Sequence, residues 1–327
     1  MSLNIPNPMN PMIPRTIFSA EHEDFRRTAR RFFEEELAPH REKWEEQQHI
    51  DRNLWNKAGA LGLLCPTMPE EYGGSGVDRL YSVIMMEEQA RAGDSASGFS
   101  LHSDIVANYL NNFATEELKQ KWLPKMASGE AVGSIAMTEP GTGSDLQAVR
   151  TSAIADGDDY IVNGSKIFIT NGYLCDISVV VVKTGDPSKG AESISLLLIE
   201  ADRPGFSKGR PLKKVGMKGQ DTCELFFDNV RVPKSNLIGM EGMGFIMLMK
   251  ELAWERLMIA IMCAAGCEQV LAHTLAYVRD RKVFGKPVAA YQNTKYKLAE
   301  LRSETQIARV FVDKCIEEQI KGTLQVD

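Results

Sequence analysis

The sequence predicts an α+β fold in three parts: a helical N-terminal domain, a middle β-barrel-like domain and a C-terminal helical bundle. Three observations carry this. Apolar residues recur at helical spacing from Ser19 to about residue 130. Short alternating runs punctuated by Asx-Gly pairs then continue to Pro233, and long apolar helical stretches resume near Gly244. The expected boundaries are an extended arm over 1–18, then domains at 19–130, 131–240 and 241–327. A length of 327 residues suits several domains, and 43% hydrophobic with 25% charged residues excludes disorder and fibres. Thirty-eight Lys+Arg against 44 Asp+Glu leave a net charge of −6, so nucleic acid and anionic lipid are not expected partners. No apolar run approaches the roughly 18 residues of a membrane span, so none is expected. The arm holds Pro6, Pro8, Pro11 and Pro14 without a targeting pattern, which points to a cytoplasmic, bacterial-type protein.

Each element has a local reason. Ser19 before Glu21-His22-Glu23 is an N-cap with acidic residues in the first turn, and Phe25, Ala29, Phe32, Phe33 and Leu37 follow at helical spacing. A second helix opens at Asp51 or Asn53 and ends near Gly59 and Gly62; two more cover about 80–91 and 105–113. A strand over about 132–137 leads into a Gly-rich loop. Asp156-Gly157 and Asn163-Gly164 are hairpin signals, because both central residues tolerate positive φ. Further strands fall near 177–182, 193–199 and 224–232. The stretch 245–267 is apolar around most of its circumference and is expected at the centre of a bundle. Phe284-Gly285-Lys286-Pro287 breaks it from a last helix over about 293–321. Two such helices do not close a four-helix core, and the chain stops at Val326-Asp327, so the C-terminal bundle looks incomplete. The six cysteines show no metal spacing; Cys263 and Cys267 are expected as buried free thiols, and no metal is expected.

Four segments carry chemistry, each with a bland alternative. In Thr138-Glu139-Pro140-Gly141-Thr142-Gly143-Ser144-Asp145 the glycines let backbone amides approach a pyrophosphate or a ring edge; the same residues also make an ordinary turn. In Lys166-Ile167-Phe168-Ile169-Thr170-Asn171-Gly172, alternation puts Phe168 and Thr170 on one strand face, an aromatic plane beside a hydroxyl, or else a core Phe with a surface Thr. In Lys250-Glu251-Leu252-Ala253-Trp254-Glu255-Arg256-Leu257, Glu255 borders an apolar stretch whose desolvation favours proton uptake; a Glu255–Arg256 ion pair is the alternative. Arg279, Arg281, Lys282 and Lys286 either bind phosphate or complement a helix C-terminus.

Taken in this order over essentially the full length, these segments resemble the acyl-CoA dehydrogenase family, most closely its long-chain type. Lys214-Val215-Gly216 with Thr222, Phe226–Phe227 and Val230-Arg231-Val232-Pro233, and Phe99-Ser100-Leu101-His102-Ser103, add to the likeness. The resemblance implies that Ile135, Met137, Thr138, Gly143, Ser144, Phe168, Ile169 and Thr170 hold FAD, with Phe168 against the isoalloxazine. It implies that Arg281, Phe284 and Gln292 reach the FAD of a neighbouring subunit in a homo-oligomer, a dimer of dimers. Ser144, Ala253, Trp254 and Arg256 would face the acyl-CoA. Phe168 stands where many members have Trp; both stack. His102 is expected to be structural.

The implied reaction is α,β-dehydrogenation of a medium- to long-chain acyl-CoA to trans-2-enoyl-CoA. Glu255 takes the α-proton, as in the long-chain and isovaleryl types, and electrons pass to electron-transfer flavoprotein in fatty acid β-oxidation. About two further helices, which complete the bundle in the family, are absent from the chain as given. The alternatives are an isovaleryl-CoA-like enzyme for branched short chains, an oxygen-using acyl-CoA oxidase, and a non-catalytic acyl-CoA-binding scaffold.

Overall fold

A computed structural model describes residues 13–324. Most of the expected arm, including Pro6, Pro8 and Pro11, and the last residues, Val326-Asp327 among them, lie outside the described residues. The chain forms two compact units. The first takes the N-terminal stretch to Glu34, then Asp78–Asp94 and Trp254–Asp327; the second takes Glu35–Val77 and Ser95–Ala253.

The first unit is helical. Helix α1 (Ala20–Phe32) starts at a capping box in which Ser19 accepts from the His22 amide and His22 Nδ1 accepts from the Ser19 amide. In the second unit lie α2 (Arg41–Gln47) and α3 (Asn53–Ala60). Helix α4 (Arg79–Arg91), capped by Asp78, packs on α1 within the first unit. It is joined there by most of α8 (Gly244–Asp280) and by α9 (Gln292–Ile320). The two C-terminal helices therefore do not have to close a core alone: N-terminal helices share their unit.

Charge as well as apolar contact ties these helices together. Glu87 of α4 is buried and accepts from three guanidinium groups: Arg15 at 2.7 and 2.9 Å, Arg26 at 2.8 Å and Arg309 at 2.9 Å. Arg15 also donates to Asp313, and Arg309 to Glu268. Burial alone would raise the Glu87 carboxyl, but the arginines outweigh it and hold it down at about 2.

Helix α8 departs from the expected buried centre. Trp254, Leu257, Met258, Ile261, Ala264 and Ala265 are buried, but Ile259, Cys263, Cys267, Val270 and Tyr277 are exposed. These residues recur at three, four and seven, so one helix face is covered and the opposite one is open. The two thiols fall on the open face, which corrects the buried assignment. Among the described residues α8 is also the one helix long and apolar enough to cross a membrane by length and composition. Glu268 lies within this helix and is ion-paired with Arg309.

The second unit is built on an eight-stranded sheet ordered β6-β7-β3-β2-β4-β5-β8, with β1 parallel to β4. The strands are β1 (Gly133–Ala136), β2 (Ser152–Asp156), β3 (Asp159–Thr170), β4 (Ile177–Lys183), β5 (Ile194–Glu200), β6 (Phe206–Lys208), β7 (Thr222–Pro233) and β8 (Leu237–Ile238). β2 and β4 meet only at Ser152 and Lys183, where the sheet folds over. Ala153, Val162, Ile169, Val180, Val182, Leu197, Leu225 and Val232 fill the space inside the fold. On the other face, Val179, Val181, Leu196 and Leu198 pack against α6 (Ala107–Phe113) and α7 (Glu116–Ala127), which follow the short α5 (Phe99–Leu101). β4 is covered on both faces, which explains its unbroken apolar run.

Asp156-Gly157 does turn a hairpin, pairing Asp156 with Asp159. Asn163-Gly164 does not. It lies inside β3 opposite a bulge in β7, where Asn229 takes φ 52° and exchanges hydrogen bonds with Asn163. A Cβ on Gly164 would sit 2.5 Å from the Thr151 hydroxyl, so the glycine serves close packing between strands.

The Glu87 carboxyl titrates well below its ordinary value, so its contribution is fully present above about pH 4.5 and is lost as pH falls toward 2. Glu87→Gln should cost about 3–5 kcal/mol at pH 7, as expected for a broken buried ion-pair network. Denaturant unfolding at pH 7 and pH 3 checks this: the gap between variant and wild type narrows at the lower pH.

Candidate functional site

Strand β1 ends at Ala136 and runs into a tight loop in which Glu139 and Thr142 exchange backbone hydrogen bonds at 2.9 and 3.1 Å. Thr142 donates its hydroxyl to the Asp145 carbonyl, and Asp145 caps the short helical turn Leu146–Ala148. Gly141, Gly143 and Ser144 project at the surface. A Cβ added at Gly141 or Gly143 would meet nothing within 4 Å, and neither glycine has a positive φ. The protein's own packing therefore gives no reason for glycine there; space for a ligand against the backbone does.

The loop lies against β3. The Ile167 amide donates to the Thr138 carbonyl at 2.9 Å. Directly after this contact β3 bulges: Lys166 pairs with Leu225 and Ile169 with Cys223, so three steps on β3 oppose two on β7. Phe168 takes up the extra residue at φ 61°, and its ring is 64% exposed. A left-handed Phe costs about 1–3 kcal/mol and persists only where its flanks are fixed, as they are here. Phe168 and Thr170 stay on the open side, with Ile169 pointing into the core. The loop and the exposed aromatic, both expected from sequence, are thus brought together.

Ile135 and Ile169 are 8% and 2% exposed and pack in the core, so any contact they make with a ligand is through backbone. Met137 and Thr138 are half-buried at the start of the loop.

Beneath the loop lies a buried pair, Lys166 and Glu139, to which the sequence alone assigns no role. Lys166 has no exposed surface; its ammonium donates to the Met137 carbonyl at 3.0 Å and to Glu139 Oε1 at 2.9 Å. Glu139 also accepts from the amides of Arg150 at 2.7 Å and Thr151 at 2.9 Å. Burial pushes the Lys166 ammonium down to about 8, against the pull of Glu139. Burial likewise opposes the Glu139 charge, but Lys166 and the Thr151 amide outweigh it and hold the carboxyl below its ordinary range. A strand lysine surrounded by apolar alternation was the available signal.

His102 is structural, as expected. Its Nε2 donates to the Met126 carbonyl and its Nδ1 accepts from the Gly133 amide, both at 3.0 Å, and burial pushes the ring down to about 4. It fixes the start of β1 and hence the loop.

The other candidates belong to the first unit, except Ala253, which is half-buried in the second. Glu255 is half-buried on α8 and Arg256 is exposed. Trp254 is 2% exposed beneath the Arg79 guanidinium, 4.5 Å from the ring centre. Helical phase places it with Leu257 and Met258 on the buried face, so its side chain presents almost no surface to a substrate. Glu251 is buried in the second unit and accepts from Asn112 at 2.8 Å, so the two glutamates occupy different environments. The break at Phe284 is a two-residue hairpin, β9 (Lys282–Val283) with β10 (Lys286–Pro287). Phe284 and Gly285 hold φ 50° and 73° at its tip, and the Phe284 side chain is 94% exposed. Arg281 and Gln292 are exposed nearby in sequence, with Gln292 donating to the Tyr296 hydroxyl.

A cavity of about 780 Å³ lies elsewhere in the second unit, lined by Lys121, Trp122, Lys125 and Arg203 among others. Lys121 and Arg203 share the Glu200 carboxylate, so each cation already has a partner.

Family models match along the chain: the acyl-CoA dehydrogenase N-terminal domain over residues 19–130, the middle domain over 134–230 and the C-terminal domain over 242–326. The chain is 49% identical over 314 residues to the mitochondrial long-chain specific acyl-CoA dehydrogenase of Rattus norvegicus, spanning 96% of this chain and 73% of that protein. It belongs to the acyl-CoA dehydrogenase family. Identity to the isovaleryl-CoA dehydrogenase of Solanum tuberosum is 38% over 311 residues, 94% of this chain and 75% of that protein. The crystal structure of an acyl-CoA dehydrogenase from Geobacillus kaustophilus superposes with a TM-score of 0.93 at 47% identity, covering 95% of this chain and 82% of that one. A glutaryl-CoA dehydrogenase from Mycobacterium smegmatis, solved in complex with FADH2, superposes with a TM-score of 0.85 at 29% identity, covering 94% and 78%.

The chain is therefore an FAD-dependent oxidoreductase acting on CH–CH groups. Its residues fit the cofactor: an open, glycine-lined loop beside an exposed aromatic ring suits a flat heterocycle with a polar edge. If the glycines serve the ligand, Gly143→Ala leaves the unfolding of the apoprotein unchanged or raises it by up to about 1 kcal/mol. FAD affinity, measured by quenching of flavin fluorescence, should fall about tenfold.

Proposed function

We propose that this acyl-CoA dehydrogenase oxidises medium- to long-chain acyl-CoA thioesters to trans-2-enoyl-CoA, within fatty acid β-oxidation. The observation that carries this is Glu255: a half-buried carboxylate on α8 between the buried Trp254 and Leu257, in a chain closer to a long-chain relative at 49% than to an isovaleryl relative at 38%.

Glu255 takes the α-proton of the thioester at its carboxylate. When bound, FAD supplies the acceptor for the β-hydrogen, which leaves with its electron pair, so the Cα–Cβ bond becomes double and charge balances. Thr138, Gly143, Ser144, Phe168 and Thr170 hold the cofactor: Phe168 gives a face to stack on, and the loop gives backbone amides and hydroxyls. Ser144 and Arg256, both exposed, bind the CoA portion. The hairpin tip supports a cofactor site shared between subunits. An aromatic side chain held in a left-handed backbone and 94% exposed suits docking on a second copy, with Arg281 and Gln292 beside it, in a dimer of dimers. Electron-transfer flavoprotein is the proposed electron acceptor.

Glu255→Gln keeps the size of the side chain and removes the base. The variant is expected to bind FAD with wild-type affinity, while added acyl-CoA leaves the visible flavin absorption unbleached under anaerobic conditions; full bleaching would contradict the assignment.

A further inference from the structure

The loop after β1 and the exposed end of β3 form one surface only if something holds them in register, and Lys166 is placed to do so. Three consecutive loop residues are tied to two consecutive strand residues. The Met137 carbonyl and the Glu139 carboxylate both accept from Lys166, and the Thr138 carbonyl accepts from the Ile167 amide. The far side of Glu139 is bound by the amides of Arg150 and Thr151, so the loop is gripped where it leaves as well as where it enters. All of this lies immediately before Phe168, the residue that leaves the strand.

Burying an ammonium is costly even when it is paired, and an apolar side chain of similar length would fill the same space. Apolar packing does not account for a lysine at this position. A charged group that grips two loop residues does, because it specifies one loop geometry among several.

We propose that Lys166 and Glu139 are positioning residues for the flavin. They pre-order the loop 138–144 against Phe168–Thr170, so that FAD meets a finished surface and ordering of the loop does not draw on its binding energy. Neither residue is catalytic. The inference rests on the reading that these two segments take FAD, and Gly143→Ala tests that reading separately.

Lys166→Met removes the grip and keeps length and apolar bulk. In the full-length apoprotein, its expected effects are a rise in the FAD dissociation constant of at least about fivefold and faster hydrogen exchange at the Ile167, Arg150 and Thr151 amides. The global unfolding midpoint is expected to fall, because the Glu139 carboxylate loses its countercharge, so affinity is read on the folded fraction, in which exchange at Val180 and Leu197 stays slow. A residue serving stability alone would move the midpoint and leave the affinity of the folded fraction intact. A folded Lys166→Met with FAD affinity changed less than about fivefold, while Gly143→Ala binds weakly, overturns the positioning role and leaves the FAD reading standing. Wild-type affinity in both variants overturns the reading and the inference together. If Lys166→Met does not fold, Glu139→Gln takes its place under the same threshold, since it keeps a carbonyl acceptor and removes the countercharge.

Discussion

A lysine ammonium with no exposed surface must find a carboxylate inside the same pocket, and that requirement governs the site. Lys166 lies on β3, and Glu139 on the loop that leaves β1, so satisfying the charge brings the two together. The rest of the second unit supplies the frame: His102 anchors the start of β1, β4 pairs along it, and β7 pins Lys166 and Ile169 on either side of the bulge. The strain at Phe168 then has a cause. Three β3 steps are forced against two on β7, and the surplus residue turns its ring outward.

The first unit solves a related problem differently. There Glu87 is the buried charge, and three arginines, from the N-terminal segment, α1 and α9, converge on it. The two networks differ in what they leave open. Around Glu87 all four charged groups are consumed in holding helices together. Around Lys166 the pairing is complete too, but the loop it holds presents unused backbone and two glycines that no packing explains.

Much of this was legible in the sequence. Helical periodicity, the Ser19 cap and the alternating runs placed the elements, and the ordered motifs from Thr138 to Gln292 pointed to the family. What sequence left hidden depends on register and phase. Asn163-Gly164 has the composition of a turn but sits opposite Thr151 inside a strand, which only the sheet pairing reveals. Ile135 and Ile169 run beside the loop and the exposed aromatic, but alternation turns their side chains inward. The burial of Trp254 and the exposure of Cys263 depend on which side of α8 its partners cover. Lys166 is a lysine within apolar strand alternation, and the packing of β3 against the loop shows that it is buried with a carboxylate.

The reaction proposed for this chain is removal of hydrogen from the α,β-carbons of a medium- to long-chain acyl thioester. Anaerobic titration of the FAD-loaded wild-type protein with saturated acyl-CoAs of increasing length, followed through the visible flavin spectrum, tests it most directly. Bleaching should be weak with short and branched thioesters and complete with medium and long ones. A flavin that stays oxidised across the whole series, or that bleaches only with short branched thioesters, contradicts it.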